Sequence, residues 1–127
     1  MEVIVIITSL ALVQFMIFGY RVGAARGKYD IPAPATTGNE IFERHNRVHQ
    51  NTLEQLIVFI PALWTFAHFT HTTGAAVLGV LFIIGRTVYA LAYVSDPKKR
   101  SAGFLLGFVT NLILILGSLY GAIRALV

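Results

Sequence analysis

The chain has 127 residues, of which 56% are hydrophobic and only 13% charged, with a mean hydropathy of +0.71. This composition excludes an ordinary soluble domain. It predicts one integral membrane domain, residues 1–127, of at most four or five helices, because each span takes about 20 apolar residues. The excess of 10 Lys and Arg over 6 Asp and Glu is more typical here of cytoplasmic loops than of nucleic-acid binding. The chain has no cysteine, so thiol chemistry would require a diffusible thiol.

The first apolar stretch, Val3 to Tyr20, predicts a retained membrane helix. It has neither the basic start nor the small-residue cleavage site of a signal peptide. We expect the helix to continue through the basic stretch Arg21 to Lys28, whose long side chains can reach lipid headgroups. Thr37 and Glu40 have the spacing of a capping box. The second helix is therefore expected to start near them.

The second predicted helix changes character along its length. It is polar from Glu43 to Gln55 and apolar from Leu56 to Ala67, so only its second half is typical of a lipid-facing helix. Pro61 is expected to kink it, which membrane helices tolerate because neighbours can bond the freed carbonyl. A short turn, His68 to Gly74, is expected to follow.

Two further spans complete a predicted all-α bundle of four transmembrane helices. Helix three is expected from about Ala75 to Val94 and helix four from about Pro97 to Ala125, with Asp96 as its N-cap. An even number of spans places both termini on one side. Eight cations fall in the two connections on the other side, which the positive-inside rule assigns to the cytoplasm: Arg21, Arg26, Lys28, Arg44, Arg47, Lys98, Lys99 and Arg100.

A polar stripe is predicted on helix two. Five side chains fall within about 100° of one another on a helical wheel: Glu43, Arg47, Gln50, Asn51 and Glu54. Polar groups at membrane depth are costly and usually face a bundle interior or a wet cavity, so a paired network around Arg47 is expected. From the residues alone, this stripe is either a binding site or an ion-paired scaffold.

Helix three carries a second stripe of Arg86, Tyr89 and Tyr93, which lie within about 60° of one another. Arg86 is well inside an apolar run, where an unpaired guanidinium would cost at least a few kcal/mol. We therefore expect it to have a carboxylate partner, such as Glu43 or Glu54, or a bound anion.

The start of helix four carries three cations, Lys98, Lys99 and Arg100. A helix N-terminus favours anions, so these side chains would gain from an acidic ligand. For Lys98 and Lys99 a topology signal that also contacts anionic lipid is the more typical role.

The rest of helix four predicts packing rather than chemistry. Asn111 is expected to be an interhelical hydrogen-bond partner. Four glycines form two small-xxx-small pairs on one face, which permits close helix approach: Gly103, Gly107, Gly117 and Gly121. In the outer turn, His68 and His71 are too isolated to predict a metal site, and we expect no metal.

Two motifs on successive helices carry a family resemblance. They are FERHNRVHQNTLE, from Phe42 to Glu54, and GRTVYALAYVSDPKKR, from Gly85 to Arg100. The chain resembles the family of membrane-associated proteins in eicosanoid and glutathione metabolism (MAPEG). The stretch ATTGNEIFER is similar to the branch that contains microsomal glutathione transferases of types two and three and leukotriene-C synthase.

The resemblance implies a homotrimer of four-helix subunits with three glutathione sites between neighbouring subunits. It assigns stabilisation of the glutathione thiolate to Arg100. Gln55 and Gly27 depart from residues that some relatives use, which affects substrate preference more than the binding core. Matched position by position, the implied glutathione contacts are Arg26, Arg47, His49, Asn51, Glu54, Arg86, Tyr89 and Tyr93.

The implied activity is conjugation of glutathione to an apolar electrophile dissolved in the membrane, reduction of a lipid hydroperoxide by glutathione, or both. Glutathione would be the cosubstrate. A non-catalytic scaffold that binds lipid or glutathione is the second interpretation. A small multidrug transporter ranks third because Glu43 and Glu54 cluster with arginines, whereas a proton-coupled carrier needs a carboxylate in its mid-membrane path.

Overall fold

The computed structural model describes all 127 residues as four long helices and one short 3-10 turn. All four helices are long and apolar enough to cross a membrane, which confirms the predicted all-α four-helix architecture. The elements are α1 at Glu2–Tyr29, α2 at Glu40–Phe69, α3 at Thr72–Ser95, the 3-10 turn at Pro97–Lys99 and α4 at Ser101–Leu126.

The core lies between the two middle helices. Both α2 and α3 pack against each of the other three helices, so they separate α1 from α4. Phe59 of α2 and Phe82 of α3 are stacked with ring centroids 3.8 Å apart and planes 7° apart. Ile7 from α1 and Leu114 from α4 join the same buried cluster. Each of the four helices therefore contributes an apolar face to one core.

The outer surface of the bundle is also apolar. Large hydrophobic side chains are exposed along every helix, among them Met16, Ile57, Leu91 and Leu116. Patches of this extent are rare on soluble monomers, and lipid can cover them without cost. The chain is thus built as a multi-pass integral membrane protein.

Both basic connections lie at the same end of the bundle, here called the basic end. Near the start of α2, Arg44 donates from Nη1 to the carbonyl oxygens of Val94 and Ser95, at 3.0 and 3.3 Å, where α3 ends. At the opposite end, Thr70 donates to the carbonyl oxygen of Gly117 at 2.7 Å. These contacts place the α1–α2 and α3–α4 connections together, as the even number of spans predicts.

The start of α2 differs from the prediction. The prediction of a capping box formed by Thr37 and Glu40 is wrong, because Asn39 is the N-cap. Its side-chain oxygen accepts the N–H groups of Ile41 and Phe42 at 2.9 and 3.1 Å. Glu43 reaches back and accepts from the backbone N–H of Gly38 at 3.2 Å. The side-chain amide of Asn39 thus caps α2 in place of the hydroxyl of Thr37.

The turn between α2 and α3 is shorter than the predicted His68–Gly74. Only Thr70 and His71 separate the two helices. His71 caps α3 by accepting the N–H of Gly74 on Nδ1 at 2.9 Å. That cap lets α3 begin at Thr72, three residues earlier than expected.

The predicted start of α4, at about Pro97, is also wrong. Asp96 is a cap, but of the 3-10 turn, where it accepts the N–H of Lys98 at 3.1 Å. The turn closes tightly, with the N–H of Lys99 donating to the carbonyl oxygen of Asp96 at 2.9 Å. As a result Lys98, Lys99 and Arg100 precede α4, which begins at Ser101.

The glycine face of α4 packs closely, as predicted. A Cβ atom at Gly103 would meet the backbone of Tyr89 in α3, and one at Gly121 would meet the backbone of Phe69 in α2. Asn111 is the predicted interhelical partner and donates to the side-chain oxygen of Gln55 at 3.2 Å. These contacts fix α4 against both middle helices.

Pro61, which was expected to kink α2, lies inside this helix, and α2 continues through it from Glu40 to Phe69.

Candidate functional site

A cleft of about 580 Å³ opens at the basic end between α2, α3 and the start of α4. Five of the nine residues predicted for the site line it. Its volume exceeds those of the chain's other four main cavities. The lining residues are Arg47, Asn51, Tyr89, Tyr93, Arg100, Ser101, Phe104 and Leu105.

The α2 wall of the cleft presents one ion pair and one buried amide. Arg47 and Glu54 lie two turns apart on the same face and pair at 3.2 Å, with both side chains about half exposed. Asn51 lies between them, only 6% exposed, and its Oδ1 has no hydrogen-bond partner. A buried acceptor without a partner is costly, and a ligand N–H in the cleft would satisfy it. The predicted network around Arg47 thus includes Glu54, but Glu43 turns away to Gly38.

The α3 wall is aromatic. The rings of Tyr89 and Tyr93 are stacked with centroids 5.6 Å apart. Arg86 lies behind them, fully buried, with its guanidinium carbon 4.2 Å from the centre of the Tyr89 ring. Cation–π contact strengthens when both groups are desolvated. Arg86 therefore holds Tyr89 in place and does not itself line the cleft.

The prediction that Arg86 has a carboxylate partner is wrong. Its Nη2 donates to the hydroxyl of Thr52 at 2.8 Å, inside the bundle. The carboxylate of Glu54 pairs with Arg47, and Glu43 bonds a backbone N–H. The sequence did not predict Thr52 as the partner, because a charged side chain is expected to pair with an opposite charge and a threonine hydroxyl is neutral. Thr52 is fully buried on α2, where its hydroxyl faces Arg86 of α3.

The third wall comes from the 3-10 turn and the first turns of α4. Arg100 is exposed, contacts only its own turn by a 3.4 Å bond to the carbonyl of Pro97, and belongs to none of the chain's three ion pairs. Its charge is therefore available to a ligand. Ser101, Phe104 and Leu105 were not predicted. Ser101 follows Arg100 directly, and Phe104 and Leu105 lie about one turn further along α4, which is the signal that would have found them.

Four of the nine predicted site residues do not line the cleft. Glu54 pairs with the lining residue Arg47, Arg86 lies behind Tyr89, and the other two lie elsewhere in the subunit. Arg26 donates to the carbonyl oxygen of Ala35 at 2.7 Å and lies over the ring of Phe42 at 4.7 Å, in the α1–α2 connection. His49 is stacked on Phe15 of α1 with centroids 4.5 Å apart. Neither residue lines the cleft of its own chain.

The cleft combines chemistries that favour an amphipathic anion. Arg47 and Arg100 offer cationic groups on two walls, and the amide of Asn51 offers a buried acceptor. Glu54 does not line the cleft but is bound to Arg47, which does. Phe104 provides an apolar surface on the α4 wall, next to the lipid-facing side of this helix. The fold and site therefore define an integral membrane protein with a cationic cleft that opens beside the bilayer.

Comparison with known proteins makes the assignment specific. The family described as MAPEG matches residues 4–120. The chain belongs to the MAPEG family, as its two motifs indicated.

Individual relatives cover most of the chain. It is 47% identical over 114 residues to an uncharacterised protein of Synechocystis sp., covering 90% of this chain and 83% of that one. It is 37% identical over 114 residues to human microsomal glutathione S-transferase 2, with coverage of 89% and 78%. It is 30% identical over 96 residues to bovine leukotriene C4 synthase, with coverage of 76% and 64%. These similarities support a glutathione-related transferase function.

Proposed function

We propose that the protein is a glutathione transferase of the membrane that binds glutathione in this cleft and activates its thiol with Arg100. One observation carries the proposal. The cleft brings Arg47, Asn51, Tyr89, Tyr93 and Arg100 together from three chain segments, on a chain similar to microsomal glutathione S-transferase 2.

The cleft complements the charges of glutathione, which has two carboxylates, one ammonium and one thiol. Arg47 would bind a carboxylate through charge-assisted hydrogen bonds, and Glu54 would bind the ammonium, so the ligand replaces the exposed ion pair between them. Asn51 would accept a peptide N–H on its unpaired Oδ1. Tyr89 and Tyr93 would contact the peptide, with Arg86 acting through the Tyr89 ring.

The thiol requires activation because its pKa of about 8.5 leaves little thiolate at neutral pH, and a nearby cation lowers that pKa. Arg100 supplies the cation and has no competing carboxylate. The N-terminus of α4 lies directly after it, and the free N–H groups of a helix start also favour an anion. The thiol proton leaves to solvent, since an arginine does not take it up.

The thiolate supports two reactions. In conjugation it attacks an electrophilic carbon, a carbon–sulfur bond forms, and the leaving group or opened oxygen takes the electron pair. In the peroxidase reaction two glutathione molecules reduce one hydroperoxide to an alcohol and water and become a disulfide. The exposed rings of Phe104 and Phe108 on α4 provide an apolar approach from the lipid side for either acceptor.

We further propose a homotrimer in which each cleft is completed by a neighbouring subunit. Two observations support this. Arg26 is distant from the cleft of its own chain, and the cleft is open toward the outside of the subunit. A neighbour would supply Arg26, and His49 would contribute from outside the cleft wall. The positive-inside rule supports cytoplasmic basic connections, with both termini on the opposite side.

Titration calorimetry with glutathione tests the binding half of this proposal. Arg47→Ala and Glu54→Ala should each weaken binding about tenfold or more, since a hydrogen bond to a charged group contributes about 1.5–3 kcal/mol. Arg124→Ala is the matched control, because Arg124 is an exposed cation that contacts only Tyr120 near the end of α4. Undiminished affinity in both cleft variants would place the glutathione site elsewhere.

Turnover assays test the catalytic half. The protein should consume glutathione with a small aromatic electrophile, a lipid hydroperoxide, or both. Glutathione binding with neither reaction would support the scaffold interpretation in its place. Proton-coupled uptake by proteoliposomes without glutathione turnover would support a transporter.

A further inference from the structure

A second, smaller cavity at the basic end lies between α1 and the first turns of α2, here called the basic pocket. Its volume is about 250 Å³. It shares no residue with the cleft. Its lining residues are Arg21, Ala24, Ala25, Lys28, Tyr29, Ile41 and His45.

The basic pocket concentrates positive charge that the protein does not neutralise. Arg21 and Lys28 both line it and belong to none of the three ion pairs, and no carboxylate is among the lining residues. Of the nearby acidic groups, Glu40 pairs with Arg44 and Glu43 bonds the N–H of Gly38. Asp30, which follows Tyr29, neither lines the pocket nor forms an ion pair with Arg21 or Lys28. Two cations that face one cavity without a counter-ion predict an anionic ligand.

The pocket's concave shape comes from two small residues. Ala24 and Ala25 lie between Arg21 and Lys28 on the same face of α1, and the two cations are about 10 Å apart along the helix axis. A long side chain at Ala24 would fill the space between them. The alanines thus leave room for a headgroup-sized ligand between two long cationic side chains.

The position of the pocket indicates which anion reaches it. Arg21 directly follows the apolar stretch that ends at Tyr20, whose side chain is 77% exposed. This is the level at which hydrocarbon gives way to headgroups, where basic pockets between membrane helices bind anionic lipid. On α1 this face points about 140–160° away from Arg26, so a neighbour's use of Arg26 would leave it free.

We propose that the basic pocket binds the phosphodiester headgroup of an anionic phospholipid, held between Arg21 and Lys28 over the alanine floor. Tyr29, Ile41 and His45 complete the lining of the pocket. The site is separate from the cleft and does not depend on the proposed glutathione chemistry.

Native mass spectrometry of the detergent-purified protein tests the proposal. Phosphatidylglycerol should be retained in preference to phosphatidylcholine of the same chains. Arg21→Gln/Lys28→Gln should lower the apparent affinity for phosphatidylglycerol roughly ten- to thirty-fold, as expected for two cations at the headgroup level. The matched control, Lys98→Gln/Lys99→Gln, removes the same charge from the same end but outside the pocket. Any lipid contact of these exposed lysines is a surface contact, so the loss of affinity should be much smaller than in the pocket pair.

Two further arms separate the pocket from general surface charge and from small anions. Ala24→Leu keeps both cations but fills the cavity, and because Ala24 is exposed it should fold normally and lose the lipid. Glycerol phosphate should compete only weakly, since it lacks acyl chains. The proposal is overturned if the control pair loses as much lipid as the pocket pair, if Ala24→Leu binds normally, or if glycerol phosphate displaces the lipid at equal concentration.

Discussion

A close backbone contact between α3 and α4 lies beside the cleft at Gly103, and substitution of this glycine tests its importance. A Cβ atom at this position would lie 2.7 Å from the Cα atom of Tyr89 and 2.9 Å from the carbonyl oxygen of Gly85. The backbone N of Tyr89 is closer than either atom, and ordinary contact starts near 3.4 Å, so in Gly103→Ala the two helices must separate by about 1 Å. Overpacking of this kind costs about 1–3 kcal/mol.

Gly107 provides a matched control one turn along the same helix. A Cβ atom there meets only the side chain of Arg86, at an ordinary 3.9 Å. Both substitutions gain about 1 kcal/mol of helix propensity, and this gain cancels when the variants are compared. Gly103→Ala should therefore have a free energy of unfolding about 1–3 kcal/mol below that of Gly107→Ala.

The assay is unfolding by dodecyl sulfate in mixed micelles, followed by the fluorescence of Trp64, the single tryptophan. Trp64 reports on the bundle because it donates to the hydroxyl of Thr8 in α1 at 3.0 Å. Gly103→Ala should also lower glutathione turnover, since it displaces Tyr89 relative to Arg100. Equal stability of the two glycine variants would refute the close-packing argument.

Two further predictions concern single hydrogen bonds. Thr52→Val should lower the free energy of unfolding by about 1.5–3 kcal/mol more than Thr110→Val, because each loses a hydroxyl bonded to its own helix but only Thr52 also accepts from Arg86; equal losses would mean that the Arg86 contact contributes nothing. Asn39→Ala should cost about 0.5–2 kcal/mol by removing the α2 cap. Thr37→Ala should leave the free energy of unfolding unchanged in the same dodecyl sulfate titration. A larger loss of stability in Thr37→Ala than in Asn39→Ala would instead support the capping box of Thr37 and Glu40.

The helix faces were predictable because they depend on periodicity alone. The spacing of Arg47 and Asn51 predicted the α2 wall of the cleft, and that of Tyr89 and Tyr93 predicted the α3 wall. Backbone geometry fixes these relationships once a segment is helical, whatever it packs against. The apolar lengths likewise predicted four helices.

The partners of individual side chains were not predictable in the same way. Arg86 bonds Thr52 because α2 and α3 bring that hydroxyl within 2.8 Å, and no local pattern encodes this distance. At the helix starts, Thr37 and Asn39 are both acceptable caps, and the path of the preceding loop decides between them. The 3-10 turn before α4 arises in the same way, from the packing of a short connection that begins at Asp96.

Arg100 is proposed to stabilise the glutathione thiolate. The most direct measurement is the ultraviolet difference absorbance of thiolate when glutathione is added at neutral pH to the detergent-purified protein. Lys99→Ala is the matched control, since Lys99 is the adjacent exposed cation outside the cleft. The unaltered protein and Lys99→Ala should show the thiolate signal, and Arg100→Ala should lose it while still binding glutathione. A full thiolate signal in Arg100→Ala would contradict the assignment.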